Sequence, residues 1–589
     1  MYDLILRNGF IVDGTGRPGF TGDVAVLDGR IVQVGTVDGD AREEMDCTGL
    51  LVTPGWVDMH THYDGQASWD PYLTPSGWHG CTTVVMGNCG VGFAPVRKED
   101  RTWLINVMEG VEDIPGSALS EGIQWDWETF PEYLDALAGK PFALDVAAQV
   151  PHSAVRGFVM GRDRSEQEDA TPEEIAQMRE IVADGLRAGA LGFSTSRTPL
   201  HKTKAGVFVA GTNATLDELF GIADAITEVG HGVFELANEH TRNRADVSWM
   251  KEIARKTGQP VVFNLSQVDE DPTLYAEMLA ALDQAAEEGV PLFGQCAGRG
   301  IGILMGWQGT AHPFALYPSW LGLGDRPWEE KLELLKDPAF KKQLLTETGM
   351  TVGPFETFVT TSFDKMFLLG PDNDYEPAPE DSIAARAARE GRDPRDLAFD
   401  ELMKNDGAAM MYFPLYNYSG GSLDASYEMH GHEHTLMGLS DGGAHCGAIC
   451  DAGMPTFMLT HWTRDRKRGP TLPLEHIVKR QTSETAAFYG LNDRGVLAPG
   501  YLADINVIDY DHLDVDAPKM VFDLPAGGRR LVQHARGYKA TIKNGEVIMK
   551  DGEATGALPG KLLRGHQAAP LHTDPVWKNH TTQPGARAK

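Results

Sequence analysis

The sequence predicts an α/β protein: a (β/α)8 TIM barrel with a flanking composite β-sandwich formed by both chain ends. Three observations lead there. Eight short apolar runs alternate with amphipathic helical stretches through the middle of the chain, the pattern that builds parallel sheets. Strand–turn–strand segments of one style occur at both ends. The length of 589 residues exceeds one ordinary domain and suits a large barrel plus a smaller module.

The N-terminal part, 1–53, reads as short strands, "DLILRNGFIV", "DVAVLDGRIVQVG" and "EEMDCTGLLV", separated by turns such as Asp28-Gly29, a dipeptide suited to tight hairpins. The barrel is expected over 54–490. Its eight runs are "WVDMHTH", "TTVVMGN", "ALDVAAQ", "LGFSTS", "GVFELA", "VVFNLS", "VPLFGQ" and "TLMGLS", with "AAMMYF" near Ala408 as a rival ninth. The segment "TPEEIAQMREIVADGLRAG" illustrates the helices between them. Thr171 caps, Pro172 takes the first helical position, Glu174 completes a capping box, and Ile175, Met178, Ile181, Val182 and Leu186 share one face. A long interval at about 307–434 exceeds any ordinary connection and is read as an elaborated loop or lid. The C-terminal part of the sandwich, 491–560, carries "GVLAPGYLADINVID" and "YKATIKNGEVIMKDG", with Asn544-Gly545 as its hairpin signal. The segment 561–589 has little periodicity and reads as an extended tail.

Composition narrows the partners. With 84 acidic and 52 basic residues, the formal charge of −32 argues against nucleic acid or an anionic membrane and for a small-molecule substrate. Six cysteines without a paired framework suit a reducing, cytoplasmic setting. The N-terminus lacks a basic region followed by an apolar one, and no window offers about 18 uninterrupted apolar residues. Oligomeric state is not readable from these features.

Strand ends of such a barrel converge on one face however distant they are in sequence, so the polar residues after each run form one set. His60 and His62 sit two apart and project from the same side of a strand. Two imidazoles placed so suit a divalent metal, and equally a satisfied polar pair. Cys89 in "GNCG" is a candidate ligand or an ordinary buried thiol. Asp441 in "SDGGAH" is a ligand, a general base or a helix cap. His152, Ser196, Arg197 and His445 are candidates to contact substrate, with loop hydrogen bonding and structural ion pairing as the plainer roles. Glu235, Asn264 and Gln295 each interrupt an apolar strand at similar depth and need partners if they face inward.

The combination of "TPGWVDMHTHYDG", "GCTTVVMGNCG", "PHSAVRGFVMG" and "GLSDGGAH", followed by "TSETAAFYGLNDRGVLAPGYLADINVID", resembles the amidohydrolase superfamily. Within it, "GNCG" points to the N-acyl-D-amino-acid deacylase (D-aminoacylase) family. The likeness spans the chain to about Gly556. It implies one or two zinc ions held by His60, His62, Cys89 and Asp441, with Cys89 standing where most relatives use a carboxylated lysine. It also implies a hydrolase of linear C–N amide bonds in which metal-activated water attacks and Asp441 acts as general base, then protonates the leaving nitrogen. The chain departs from the family where histidines are expected after the fifth and sixth runs. His240 falls several residues late and none lies near Ser266-Gln267, so Glu235 or His240 is the candidate substitute, with a purely structural polar layer inside the barrel as the equal alternative. A cyclic-amide hydrolase of the hydantoinase or dihydroorotase type is the rival enzyme reading. A metal-poor binding or scaffold homologue is the rival of another class.

Overall fold

The computed structural model describes residues 1–238, 247–370 and 373–570. All eight apolar runs contain strands, here β1 (Trp56–Asp58), β2 (Cys81–Met86), β3 (Asp145–Ala148, followed by Val150–Pro151), β4 (Gly192–Ser196), β5 (Val233–Ala237), β6 (Val261–Asn264), β7 (Leu292–Ala297) and β8 (Thr435–Gly438). Every pairing among them is parallel. β1, β2 and Asp145–Ala148 form one ribbon, and Val150–Pro151, β4, β5, β6, β7 and β8 form the other. This is a TIM-barrel-like α/β domain. Just beyond β1 and β8, Thr61 and Gly442 make a parallel bridge, and the His62 amide donates to the Gly442 carbonyl at 2.8 Å. The strands are buried nearly throughout, as expected of parallel strands covered on both faces.

Two of the surrounding helices bear on the site and on the barrel wall. α1 (Arg101–Val111) comes after β2 and ends at Glu112. α2 (Pro172–Ala188) carries the expected capping box on Thr171 and Glu174, and buries Met178, Val182 and Leu186 against the barrel. Ile175 and Ile181, on the same stripe, stay half-buried at its edge. At the foot of the strands, Val57, Val85, Leu191, Val233, Val262, Phe293 and Leu436 pack with Phe488, Leu491 and Leu563. The last of these belongs to the tail, whose described part is extended. Leu563 donates to the Val146 carbonyl at 2.7 Å and Gln567 to that of Gly490 at 2.9 Å.

The two chain ends meet in one sheet of nine strands. Leu51–Pro54 runs antiparallel to Ile505–Ile508, joining the N-terminal strands Tyr2–Ile11 and Phe20–Leu27 to the C-terminal strands Tyr538–Lys543 and Glu546–Lys550. The run "AAMMYF" is no barrel strand. Met411–Pro414 pairs antiparallel with Gly302–Met305 in a separate three-stranded sheet, which therefore starts ahead of the expected 307. Around it Trp307, Phe314, Leu344, Phe399 and Phe413 form a core of their own, so this part of the chain is packed.

Candidate metal centre and active site

Beyond the C-terminal ends of the strands, four side chains distant in sequence converge. His60 and His62 leave β1, and one ligand atom from each, together with Cys89 Sγ, lies within 4.8 Å of the other two. Cys89 Sγ is 3.3 Å from His60 Nε2. Asp441 Oδ1 stands 3.3 Å from His60 Nε2 and 3.7 Å from His62 Nε2. Both imidazoles thus turn Nε2 to one point. Their Nδ1 atoms face outward, that of His60 to Gln295 Oε1 at 2.8 Å and that of His62 to Glu112 Oε1 at 3.4 Å.

The backbone is bent to reach this arrangement. Cys89, Asp441 and His445 have φ of 56°, 49° and 52°, a region that L-residues other than Asn and Asp enter rarely and that concentrates at functional sites. Glycines make room for the first turn: a Cβ on Gly87 would meet the Gln149 carbonyl oxygen at 2.4 Å, and one on Gly90 the Thr195 Cα at 2.8 Å.

The electrostatics are those of a buried, charge-dense pocket. Burial would raise the Asp441 carboxyl, but His62, His60 and His445 outweigh it and hold it well below the ordinary carboxylate range. Burial lowers His60 to about 4. Burial lowers His62 as well, yet Glu112, Asp441 and Asp64 carry it up to about 9. Burial and the nearby Glu235 carboxylate push the Cys89 thiol well up, so a thiolate there calls for a cation. Burial raises Glu235 to about 8, although its Oε2 accepts the Cys89 amide at 3.0 Å. The buried Glu235 Oε1 and both Glu112 carboxylate oxygens lack a hydrogen-bond partner. The clustered imidazole and thiol donors of His60, His62 and Cys89 fit a divalent cation.

The remaining expected residues divide. His445 lies at the rim, 23% exposed, with Nε2 3.9 Å from Asp441 Oδ2 and 3.6 Å from Glu112 Oε2. Ser196 Oγ pairs with His201 Nδ1 at 2.9 Å, and Arg197 donates through Nη1 to the Ala214 carbonyl at 2.6 Å. His152 is buried with both ring nitrogens occupied, by Thr195 Oγ1 and Glu218 Oε1 at 2.8 Å each. Glu218 also takes Arg156 at 2.7 Å, so His152 belongs to a structural ion network with no nitrogen left for a ligand. His240 lies outside the described residues. Glu112 and His201 escape a reading of strand ends because they come from loops. Glu112 follows α1 in "MEGVEDIPG", where an acid beside an aspartate reads as a solvated helix end.

A parallel, TIM-barrel-like α/β domain bearing a His-x-His pair, a cysteine and a late aspartate at its strand ends defines a metal-dependent hydrolase. The profile described as "Amidohydrolase family" matches residues 43–549, and the chain belongs to that family. Its sequence is 27% identical over 570 residues to a D-aminoacylase from Alcaligenes xylosoxydans xylosoxydans, covering 95% of this chain and 97% of that protein. A D-aminoacylase crystal structure superposes with a TM-score of 0.64 at 25% identity, covering 96% of this chain and 100% of the other. The fold is shared too by N-acyl-D-glutamate deacylase from Bordetella bronchiseptica, solved with zinc and a phosphonate inhibitor, at a TM-score of 0.62 and 24% identity over 96% of this chain and 100% of that one. Among the described residues, no helix is long and apolar enough to cross a membrane.

Proposed function

We propose that the protein deacylates an N-acyl-D-amino acid or a related acylated amine, cleaving a linear C–N amide bond at a zinc centre of one or two ions. The observation that carries this reading is the convergence of His60, His62 and Cys89 within 4.8 Å, with the Asp441 carboxylate against both imidazoles. It is supported by the D-aminoacylase likeness over nearly the whole chain and by the zinc in the related deacylase. His60, His62, Cys89 and Asp441 would hold the zinc, and Glu235, whose Oε1 has no partner, would join a second ion beside Cys89. Zinc bound there supplies Lewis-acid polarisation of the scissile carbonyl and a more acidic water.

The chain's own residues do the rest. Asp441 stays ionised in its histidine surroundings and accepts the proton of the attacking water, then returns it to the leaving nitrogen. Gln295 accepts from His60 Nδ1 and keeps Nε2 turned inward. His445, at the rim beside Asp441, and Ser196 and Arg197, at the end of β4, would contact the substrate. We read the strands as one closed (β/α)8 ring over 54–490, on the support of the Thr61–Gly442 bridge. The shared sheet of the two chain ends is read as one layer of a composite sandwich. All six cysteines are free and buried, which supports a cytoplasmic setting.

The test is zinc analysis of protein purified without chelator, followed by a panel of D- and L-N-acyl amino acids and cyclic imides. Zinc at one or two equivalents with turnover of a D-acyl compound is expected. A zinc-free, inert protein, or turnover confined to cyclic imides, overturns the proposal.

A further inference from the structure

We infer that Glu112 is a positioning residue that couples the metal centre to the loop carrying Asp441 and His445. The carboxylate is 1% exposed and lies between two imidazoles, with Oε1 3.4 Å from His62 Nδ1 and Oε2 3.6 Å from His445 Nε2. Neither oxygen has another hydrogen-bond partner. An isolated buried carboxylate is costly unless it is paired, and the two ring N–H groups are the partners on offer. The Glu112 carbonyl also accepts the backbone amide of His445, so one residue holds that histidine by main chain and by side chain together.

The two histidines of the centre are supported unequally. His60 Nδ1 hydrogen-bonds the amide oxygen of Gln295 at 2.8 Å, with Glu235 Oε1 farther off at 3.9 Å, whereas the group nearest His62 Nδ1 is the Glu112 carboxylate at 3.4 Å. A carboxylate on Nδ1–H fixes the tautomer, leaves the Nε2 lone pair directed at the metal, and strengthens the ring as a ligand. Through its other oxygen the same carboxylate draws in His445 and with it the turn that presents Asp441. The next residue reinforces that turn from outside: Asp113 Oδ2 accepts the Gly447 amide at 3.0 Å and the Thr310 hydroxyl at 2.6 Å. No hydrogen bond or ion pair joins Asp113 to His62, so Asp113 separates tethering of the loop from support of the ligand.

This rests on the zinc reading above, and the experiment keeps the two apart. Zinc affinity of the full chain is measured by competition with a chromophoric chelator for wild type, Glu112→Gln, Glu112→Ala and Asp113→Asn, alongside zinc stoichiometry and circular dichroism. Glu112→Ala is expected to weaken zinc about 10- to 100-fold. Glu112→Gln, which keeps the shape and one acceptor, is expected to fold as wild type and to fall between them. Asp113→Asn should leave zinc affinity unchanged. Folded Glu112→Gln and Glu112→Ala proteins that bind zinc within twofold of wild type overturn the inference, as does an equal loss in Asp113→Asn. Should only Glu112→Gln fold, its affinity alone decides: a weakening of at least threefold supports the role, and a smaller one overturns it. A wild-type chain that takes up no zinc would instead remove the metal reading itself.

Discussion

Asp441 reaches the centre only because its backbone takes φ of 49°, a conformation that aspartate and asparagine tolerate better than other branched or charged residues. That preference makes Asp441→Asn an informative change: asparagine keeps the size and the backbone, and loses the capacity to take a proton. The variant is expected to fold, to retain zinc on His60, His62 and Cys89, and to lose about 10²- to 10⁴-fold in kcat. Kinetics paired with metal analysis check it, and a loss under tenfold would mean another group takes the proton. At this scale the gathering of His60, His62, Cys89 and Asp441 is legible in sequence, because imidazole, thiol and carboxylate side chains seldom follow apolar runs directly unless they bind or react. The residues that support it are less so. Gln295 stands out as a polar residue inside a strand, but its partner, His60, is 235 positions away. Glu112 gives no signal, since nothing local distinguishes a carboxylate at a helix end in water from one folded under a rim. His152 misleads for a related reason: its position after β3 is right for a substrate contact, and only packing shows Thr195 and Glu218 occupying both nitrogens.

Elements whose signals are local are the most readable. Helix α2 starts where Thr171 and Glu174 satisfy each other's backbone amides, at 3.2 and 2.9 Å, and it stops at Gly189 with φ of 114°. Both ends follow from residue chemistry within one turn. Thr171→Ala leaves the Glu174 amide without its acceptor and is expected to destabilise the protein by about 1 kcal/mol. Urea unfolding measures it, and no change in midpoint would show that the cap is dispensable in this context. The insertion shows the opposite case. Its strand Met411–Pro414 reads as one more buried apolar run, indistinguishable by composition from a barrel strand. What assigns it elsewhere is its antiparallel partner Gly302–Met305, about a hundred residues earlier, and pairing partners at such distance leave no trace in periodicity.

At the scale of the whole molecule, the sheet and the barrel-like domain are joined by buried charge that sequence disguises. Lys543 precedes the Asn544-Gly545 turn and reads as a solvated lysine, yet it is fully buried, with Nζ 2.7 Å from Asp145 Oδ2 and 2.8 Å from Asp504 Oδ2. Arg494 reaches the same Asp145 oxygen at 2.5 Å and Asp493 at 2.9 Å. Asp145 Oδ1 accepts the Lys561 amide at 2.8 Å. One carboxylate on β3 therefore ties together the shared sheet, the segment leading into it and the chain at Lys561. Attraction within such a cluster roughly offsets desolvation while it is complete, but removing one member strands the others in a dry interior. Asp145→Ala would leave Lys543 and Arg494 sharing Asp504 and Asp493, and is expected to cost about 3–5 kcal/mol. An exposed pair such as Asp184 with Arg187, where the side chains are 63% and 46% accessible, makes the control, because solvent already screens it. Urea unfolding of Asp145→Ala and Asp184→Ala side by side should show a large loss in the first and almost none in the second. Equal effects would mean that the two layers are held by apolar packing alone and that the buried charges are incidental to their attachment.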